Sequence, residues 1–152
     1  IARVGQSFRL PAEFDALTWY GKGPWETYAD RKDAALIGLY TSSVAEQHVP
    51  FAVPCECGGH EDTRFAALSD GTHIVQIVGS DDFHFSALPY SIAEYRKATY
   101  EEELPEQTTG TWLILDVAHA GLGGDTGWTK NIHPEYRVCK GRYSYTFRFH
   151  FA

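Results

Sequence analysis

The stretch that decides the fold is Arg142-Tyr143-Ser144-Tyr145-Thr146-Phe147-Arg148-Phe149-His150-Phe151. Tyr143, Tyr145, Phe147, Phe149 and Phe151 point one way. Arg142, Ser144, Thr146, Arg148 and His150 point the other. A period of two belongs to a β-strand with one buried face. Working outward, the same reading predicts strands over 3–10, where Val4, Phe8 and Leu10 fall at even spacing, and over 14–20, where Leu17 and Trp19 share a face. Further strands are expected over 34–41, 63–68, 73–78, 83–88, 111–117 and 136–138. Ser69-Asp70-Gly71-Thr72 reads as a hairpin turn between two of them. Gly21-Lys22-Gly23-Pro24 and Asp81-Asp82 read as further turns. Pro50 and Pro54 confine Phe51-Ala52-Val53 to a sheet edge or an extended loop, because proline lacks a backbone donor. Cys55 to Asp62 reads as polar and irregular, and Glu101 to Thr109 as a charged, solvated connection. One short helix is expected over 91–99, with Ser91 and Glu94 at capping-box spacing. Many short strands and one helix indicate an all-β sandwich or barrel.

A chain of 152 residues with 43% apolar side chains suits one domain with a real core. The aromatic share of 14% leans towards strands. The net charge is −7 and the basic residues are scattered, so nucleic acid is not an expected partner. No apolar run has the length of a membrane span, so no membrane partner is expected either. Three cysteines, Cys55, Cys57 and Cys139, are an odd number and make no disulfide framework.

The stretch Ala118-His-Ala-Gly-Leu-Gly-Gly-Asp-Thr-Gly-Trp128 is a glycine loop that delivers a large aromatic. It is no phosphate cradle, because no Gly-Lys-Ser/Thr leads into a helix. Trp128 with Asp125 and Asn131, and His133 nearby, suits a sugar: an indole stacks on the apolar C–H face, and the polar groups bond hydroxyls. The competing reading makes the glycines a sharp loop and Trp128 a plug for the core. Cys55-x-Cys57-x-x-His60, with Glu56 and Glu61 alongside, offers half of a tetrahedral metal site whose fourth ligand only Cys139 or a distant histidine could supply, so no metal ligands are assigned. Glycoside hydrolysis needs two facing carboxylates, and nothing marks a pair among the 20 acids. Glu26, Asp30, Glu56 and Asp125 fall in expected loops, where a functional role competes with the preferred reading as turn or cap residues, and no catalytic residue is assigned.

Taken in order, Gly21-x-Gly23-Pro24-x-Glu26-x-Tyr28-x-Asp30-Arg31, Val49-Pro50-Phe51-x-x-Pro54-x-Glu56-x-Gly58, Phe85-x-Ala87-x-Pro89-Tyr90-Ser91, Gly121-x-Gly123-Gly124-Asp125-x-x-Trp128 and Pro134-Glu135-Tyr136-Arg137 form a pattern over nearly the whole chain. It resembles the C-terminal domain of the large β-galactosidases of glycoside hydrolase family 2. The resemblance implies an antiparallel β super-sandwich of the galactose-mutarotase-like kind. That domain is longer than this chain, so residues 1–152 read as a single domain or as its C-terminal half. The parent enzymes hydrolyse terminal β-D-galactosides such as lactose. Their catalytic glutamates and their magnesium and sodium sites lie in a separate barrel domain, so no catalytic residue, cofactor or metal is expected in this chain. Trp128 matches the tryptophan that stacks on sugar at the pocket rim. The resemblance implies the remaining enzyme domains, a galactoside and other copies of the enzyme as partners, in a bacterial cytoplasm or periplasm. Two departures stand out. Asp125-Thr126-Gly127-Trp128 replaces Asp-Asp-Ser-Trp, and Cys55-Glu56-Cys57-Gly58-Gly59-His60 replaces Gln-Glu-Asn-Gly-Asn-Arg. The alternatives are a free-standing carbohydrate-binding module and an independent sugar epimerase, for which no acid–base pair is signalled.

Overall fold

A computed structural model describes residues 1–106, 108–123 and 131–152. Among these residues seven strands form one antiparallel sheet: β1 (Arg3–Leu10), β2 (Ala16–Gly23), β3 (Leu36–Ser43), β4 (Gly59–Ser69), β5 (Ile74–Leu88), β6 (Thr111–His119) and β7 (Phe147–Phe151). The order is β1-β6-β5-β4-β2-β3, and β7 pairs with β5. The inward faces of all seven strands meet in one core. Leu17, Trp19, Leu68, Ile77, Phe85, Leu113 and Leu115 are its centre, and Phe8, Tyr40, Phe147 and Phe149 pack around it. Seven strands can share one core only if the sheet curls on itself, as in the all-β sandwich expected. Each large apolar side chain removed from water contributes about 1.5–3 kcal/mol.

The β4–β5 hairpin forms as expected, with Ser69 opposite Ile74 and Leu68 opposite Val75. The Asp70 carboxylate shapes its turn by accepting the N–H groups of Thr72 and His73. Strand β5 then differs from its sequence reading. Asp81-Asp82 is no chain reversal but part of a bulge inside one continuous strand. Thr63 pairs with Phe83, and Phe65 pairs with Val78. The runs on either side both pair with β4, so the polar residues Ser80, Asp81 and Asp82 bow out into water instead of turning the chain.

That bulge also explains why the terminal strand is shorter than its alternation predicts. β7 pairs with β5 only as far as Gly79, and Ser80 N–H donating to Thr146 O is the last backbone bond. Beyond it β5 bends away, and Tyr143 and Tyr145 lie outside the ladder. Gly21 and Gly23, expected in a turn, lie in β2. A Cβ on Gly21 would meet Thr63 Oγ1 at 2.7 Å, and one on Gly23 would meet the Tyr40 ring at 2.7 Å. These glycines serve close packing between strands. The strand expected over 136–138 is absent; Pro134–Tyr136 form a 3₁₀ turn. Gly59 to Asp62, read as irregular, begins β4.

The one helix among the described residues, α1 (Ile92–Lys97), carries the expected capping box. Glu94 N–H donates to Ser91 Oγ at 3.1 Å, and Ser91 N–H donates to the Glu94 carboxylate at 2.6 Å. With Cys57, Leu88, Tyr95, Ala98 and Leu104 this segment builds a second apolar cluster. It helps cover the outer face of β5, so residues Phe83–Leu88 are buried on both faces.

His60 is fully buried between the rings of Trp19 and Phe85, at centroid distances of 4.2 and 5.2 Å. Burial disfavours its charged form and lowers its pKa to about 3. An unfolded histidine titrates near 6.5. The stability His60 confers is therefore present above pH 6.5 and lost as the pH falls towards 3, at about 1.4 kcal/mol per pH unit. Urea unfolding followed from pH 7 to pH 4 is expected to show about one proton fewer taken up on unfolding in His60→Gln than in the parent chain.

Candidate functional site

Strand β6 ends by delivering the glycine loop, and the loop's root is tied from three sides. Ala120 N–H donates to Ala2 O at 2.8 Å, and Gly121 N–H donates to Tyr136 O at 2.9 Å, closing the base of the loop. The Asp30 carboxylate accepts the N–H groups of Leu122 at 3.0 Å and Gly123 at 2.6 Å. A Cβ on Gly121 would meet Asp30 Cγ at 2.5 Å, so glycine is needed for that approach. Asp30 is held by its own loop. Tyr28 and Arg31 exchange backbone bonds, and Thr27 N–H donates to Gly59 O at 2.7 Å. The buried Glu26 carboxylate accepts from Gly58 N–H and from the Arg31 guanidinium, both at 3.0 Å. Asp30, which reads from sequence as an ordinary turn residue, is thus the clamp on the glycine loop. Asp125 and Trp128 lie outside the described residues. Asn131 is exposed where the described chain resumes after the loop, two residues before the 3₁₀ turn's cap His133.

A cavity of about 550 Å³ lies beside the loop root, lined in part by Glu56, Tyr95, Leu122 and Ile132. Arg3 and His119 also line it. The Arg3 guanidinium reaches Glu56 Oε1 at 2.7 Å and Asp116 Oδ2 at 3.3 Å. His119 Nε2 lies 3.7 Å from the same Glu56 oxygen. Beneath them His84 Nδ1 stands 3.2 Å from Asp116 Oδ2, both residues buried. Burial pulls the His84 pKa down to about 3 and that of His119 down to about 4, so both rings are neutral near pH 7. Burial pushes the Asp116 carboxyl up, and Arg3 opposes that shift.

Sequence reasoning missed this group, and the reason is local. Residues 116 and 119 of a regular strand face opposite sides. Opposite the step from Val4 to Gly5, β6 carries one extra residue: Val4 pairs with Ala118, but Gly5 pairs with Asp116. A bulge of that kind re-aims the following side chains, and it brings His119 to the side of Asp116. No spacing rule finds such a pair.

The half metal site read from Cys55, Cys57 and His60 does not assemble. Cys55 is exposed and Cys57 is buried. The Cys57 thiol, pushed up to about 11 by burial, sits 3.7 Å from Tyr95 Oη. His60 faces Lys22 O at 3.2 Å and the Gln47 side-chain amide at 2.6 Å.

Residues 1–149 match the family described as the β-galactosidase small chain. The chain belongs to that family. It is 37% identical over 145 residues to a β-galactosidase of Vibrio cholerae, covering 95% of this chain and 14% of that protein. It is 38% identical over 147 residues to a β-galactosidase of Priestia megaterium, and 40% identical over 146 residues to β-galactosidase 2 of Enterobacter cloacae; each covers 96% of this chain and 14% of the relative. The chain thus spans about one seventh of the length of the curated relatives it matches. It corresponds to their small C-terminal part.

Two charge-assisted bonds to one carboxylate contribute about 1.5–3 kcal/mol each. In Asp30→Ala, amide hydrogen exchange at Leu122 and Gly123 is expected to quicken by at least about tenfold, with α1 unchanged. Unchanged exchange at both amides would show that Asp30 is no clamp.

Proposed function

We propose that this chain is a non-catalytic part of a β-galactosidase and supports the rim of its sugar pocket. The observation that carries the reading is the glycine loop root, held by Asp30 and closed by Gly121 on Tyr136, in a chain of the β-galactosidase small-chain family. The ties at the root fix where the segment that carries Trp128 leaves the sheet. Its contribution to catalysis is positional: an indole stacked on a sugar face holds the galactoside where carboxylates of another domain act. Asp125 and Asn131 bond sugar hydroxyls beside it. The magnesium and sodium that the family resemblance implies would be held by that other domain.

The surface supports a second part of the role. Edge strand β3 exposes Leu36 and Leu39 at 75% and 65%, with Ile37 and Tyr20 nearby. An apolar edge of this kind is a packing surface, and the remaining domains of a longer β-galactosidase, or another copy of it, are the partners that fit. No observation favours the free-standing carbohydrate-binding module.

The test is Trp128→Ala in the full-length polypeptide that carries this chain. Loss of a stacking contact worth about 1.4 kcal/mol lowers kcat/KM for lactose about tenfold. The 152-residue chain alone, titrated with lactose, is expected to show no saturable change in tryptophan fluorescence. Unchanged kcat/KM in the variant would overturn the rim role, and saturable binding by the chain alone would make it a carbohydrate-binding module.

A further inference from the structure

The geometry points to a buried site for one divalent transition-metal ion, held by His84, Asp116 and His119. Nitrogen and carboxylate donors in this combination suit zinc and its neighbours in the first transition row. The three residues each offer a ligand atom, all within 4.8 Å of one another. His84 Nδ1 and Asp116 Oδ2 are 3.2 Å apart, about the separation of two ligand atoms on a tetrahedral ion with bonds near 2.0–2.1 Å. His119 Nδ1 donates to Ala120 O at 2.7 Å, which leaves its Nε2 lone pair free of a proton. A ligating histidine is commonly oriented by such a second-shell bond.

The backbone supports the same spot from two directions. The bulge in β6 turns His119 towards Asp116. A second irregularity in β4, between His60 and Thr63, makes Glu61 and Asp62 bow away from the partner strand at His84. A cavity of about 180 Å³ opens there, lined by His84 and His119 and by the carboxylates Glu61, Asp62 and Asp82. Lys32 pairs with Asp62 and Glu61, and Arg64 with Asp82, so these carboxylates are already largely compensated; three protein ligands beside an open space leave a coordination position for water. Asp116 Oδ1 has no hydrogen-bond partner, so the carboxylate is incompletely satisfied by the protein alone.

Arg3 is the competing cation, at 3.3 Å from Asp116 Oδ2. Its shorter bond, at 2.7 Å, is to Glu56, and that bond holds the guanidinium when Asp116 turns to an ion. The His84 and His119 rings stack with centroids 4.4 Å apart, so the His119 ring tilts on binding, pivoting on its Nδ1–H bond to Ala120 O. The proton on His84 Nδ1 moves to Nε2, which has no acceptor in the fold, so the metal bonds must offset a buried unmet donor.

The test uses zinc alone as the probe and needs no enzyme activity. The exposed thiols bind zinc adventitiously, so the 152-residue chain carries Cys55→Ser and Cys139→Ser, is stripped with chelator, and is titrated by calorimetry. One equivalent is expected to bind and to raise the Tm. His119→Gln, which alters a residue on the cavity wall, is expected to weaken binding by more than about 100-fold, beyond what changes outside the ligand set cause. His73→Gln, at an exposed histidine away from the site, is expected to leave it unchanged. Cobalt in place of zinc reports the ligands directly, through visible bands of a tetrahedral ion that His119→Gln abolishes. No bound equivalent, or binding that survives His119→Gln, would overturn the site. Neither result bears on Trp128 or on the rim role.

Discussion

Strand β5 is hydrogen-bonded along both edges, and from Phe83 to Leu88 it is buried on both faces. That constraint governs most of the molecule. On one face Phe83, Phe85 and Ala87 enter the main core. On the other, Leu88 meets the second apolar cluster, and His84 meets Asp116. In a strand with one wet face, polar alternation is a solvent signal. Here it places an imidazole and a carboxylate in the interior, where each must find a partner or remain unsatisfied. The polar group beside the glycine loop is a consequence of that double burial.

The bulges are the second organising feature. The one at Ser80–Asp82 bends β5, and β6 and β7 then occupy successive parts of one edge. The one at Val117 turns His119 inward, and the one at Glu61–Asp62 opens the small cavity beside His84. Each adds residues to one strand without changing its partner, so the fold survives while the side-chain phase shifts. The loops follow the same logic. Glu26, Tyr28 and Asp30 lie in a segment without regular structure, yet each is fixed by backbone donors or by burial. This segment is a strap from the start of β4 to the root of the glycine loop.

Legibility from sequence followed the range of the interactions. The alternation of Val4, Phe8 and Leu10 marked β1 at its observed bounds, and Ser91 with Glu94 marked the helix cap. The Asp70-Gly71 turn marked the central hairpin. All three depend on residues a few positions apart. Asp81-Asp82 and Gly21-Gly23 carried equally strong turn signals and were misleading. Their meaning depended on strands far away in the chain: β4 on both sides of the first pair, and Thr63 and Tyr40 against the second. The same limit hid Asp30, whose carboxylate meets amides 92 and 93 positions further on.

By itself, then, the sequence determined an all-β chain with one capped helix, a glycine loop that carries Trp128, and membership in the β-galactosidase small-chain family. Periodicity, caps and ordered motifs are local patterns, and the chain carries them whatever it packs against. Only the tertiary structure decided that His84, Asp116, His119, Arg3 and Glu56 share one polar group with His84 and Asp116 buried at its base, and that Asp30 holds the loop. Bulge phase and pairing register set which side chains meet, and both are settled by long-range strand pairing that no short window of residues contains.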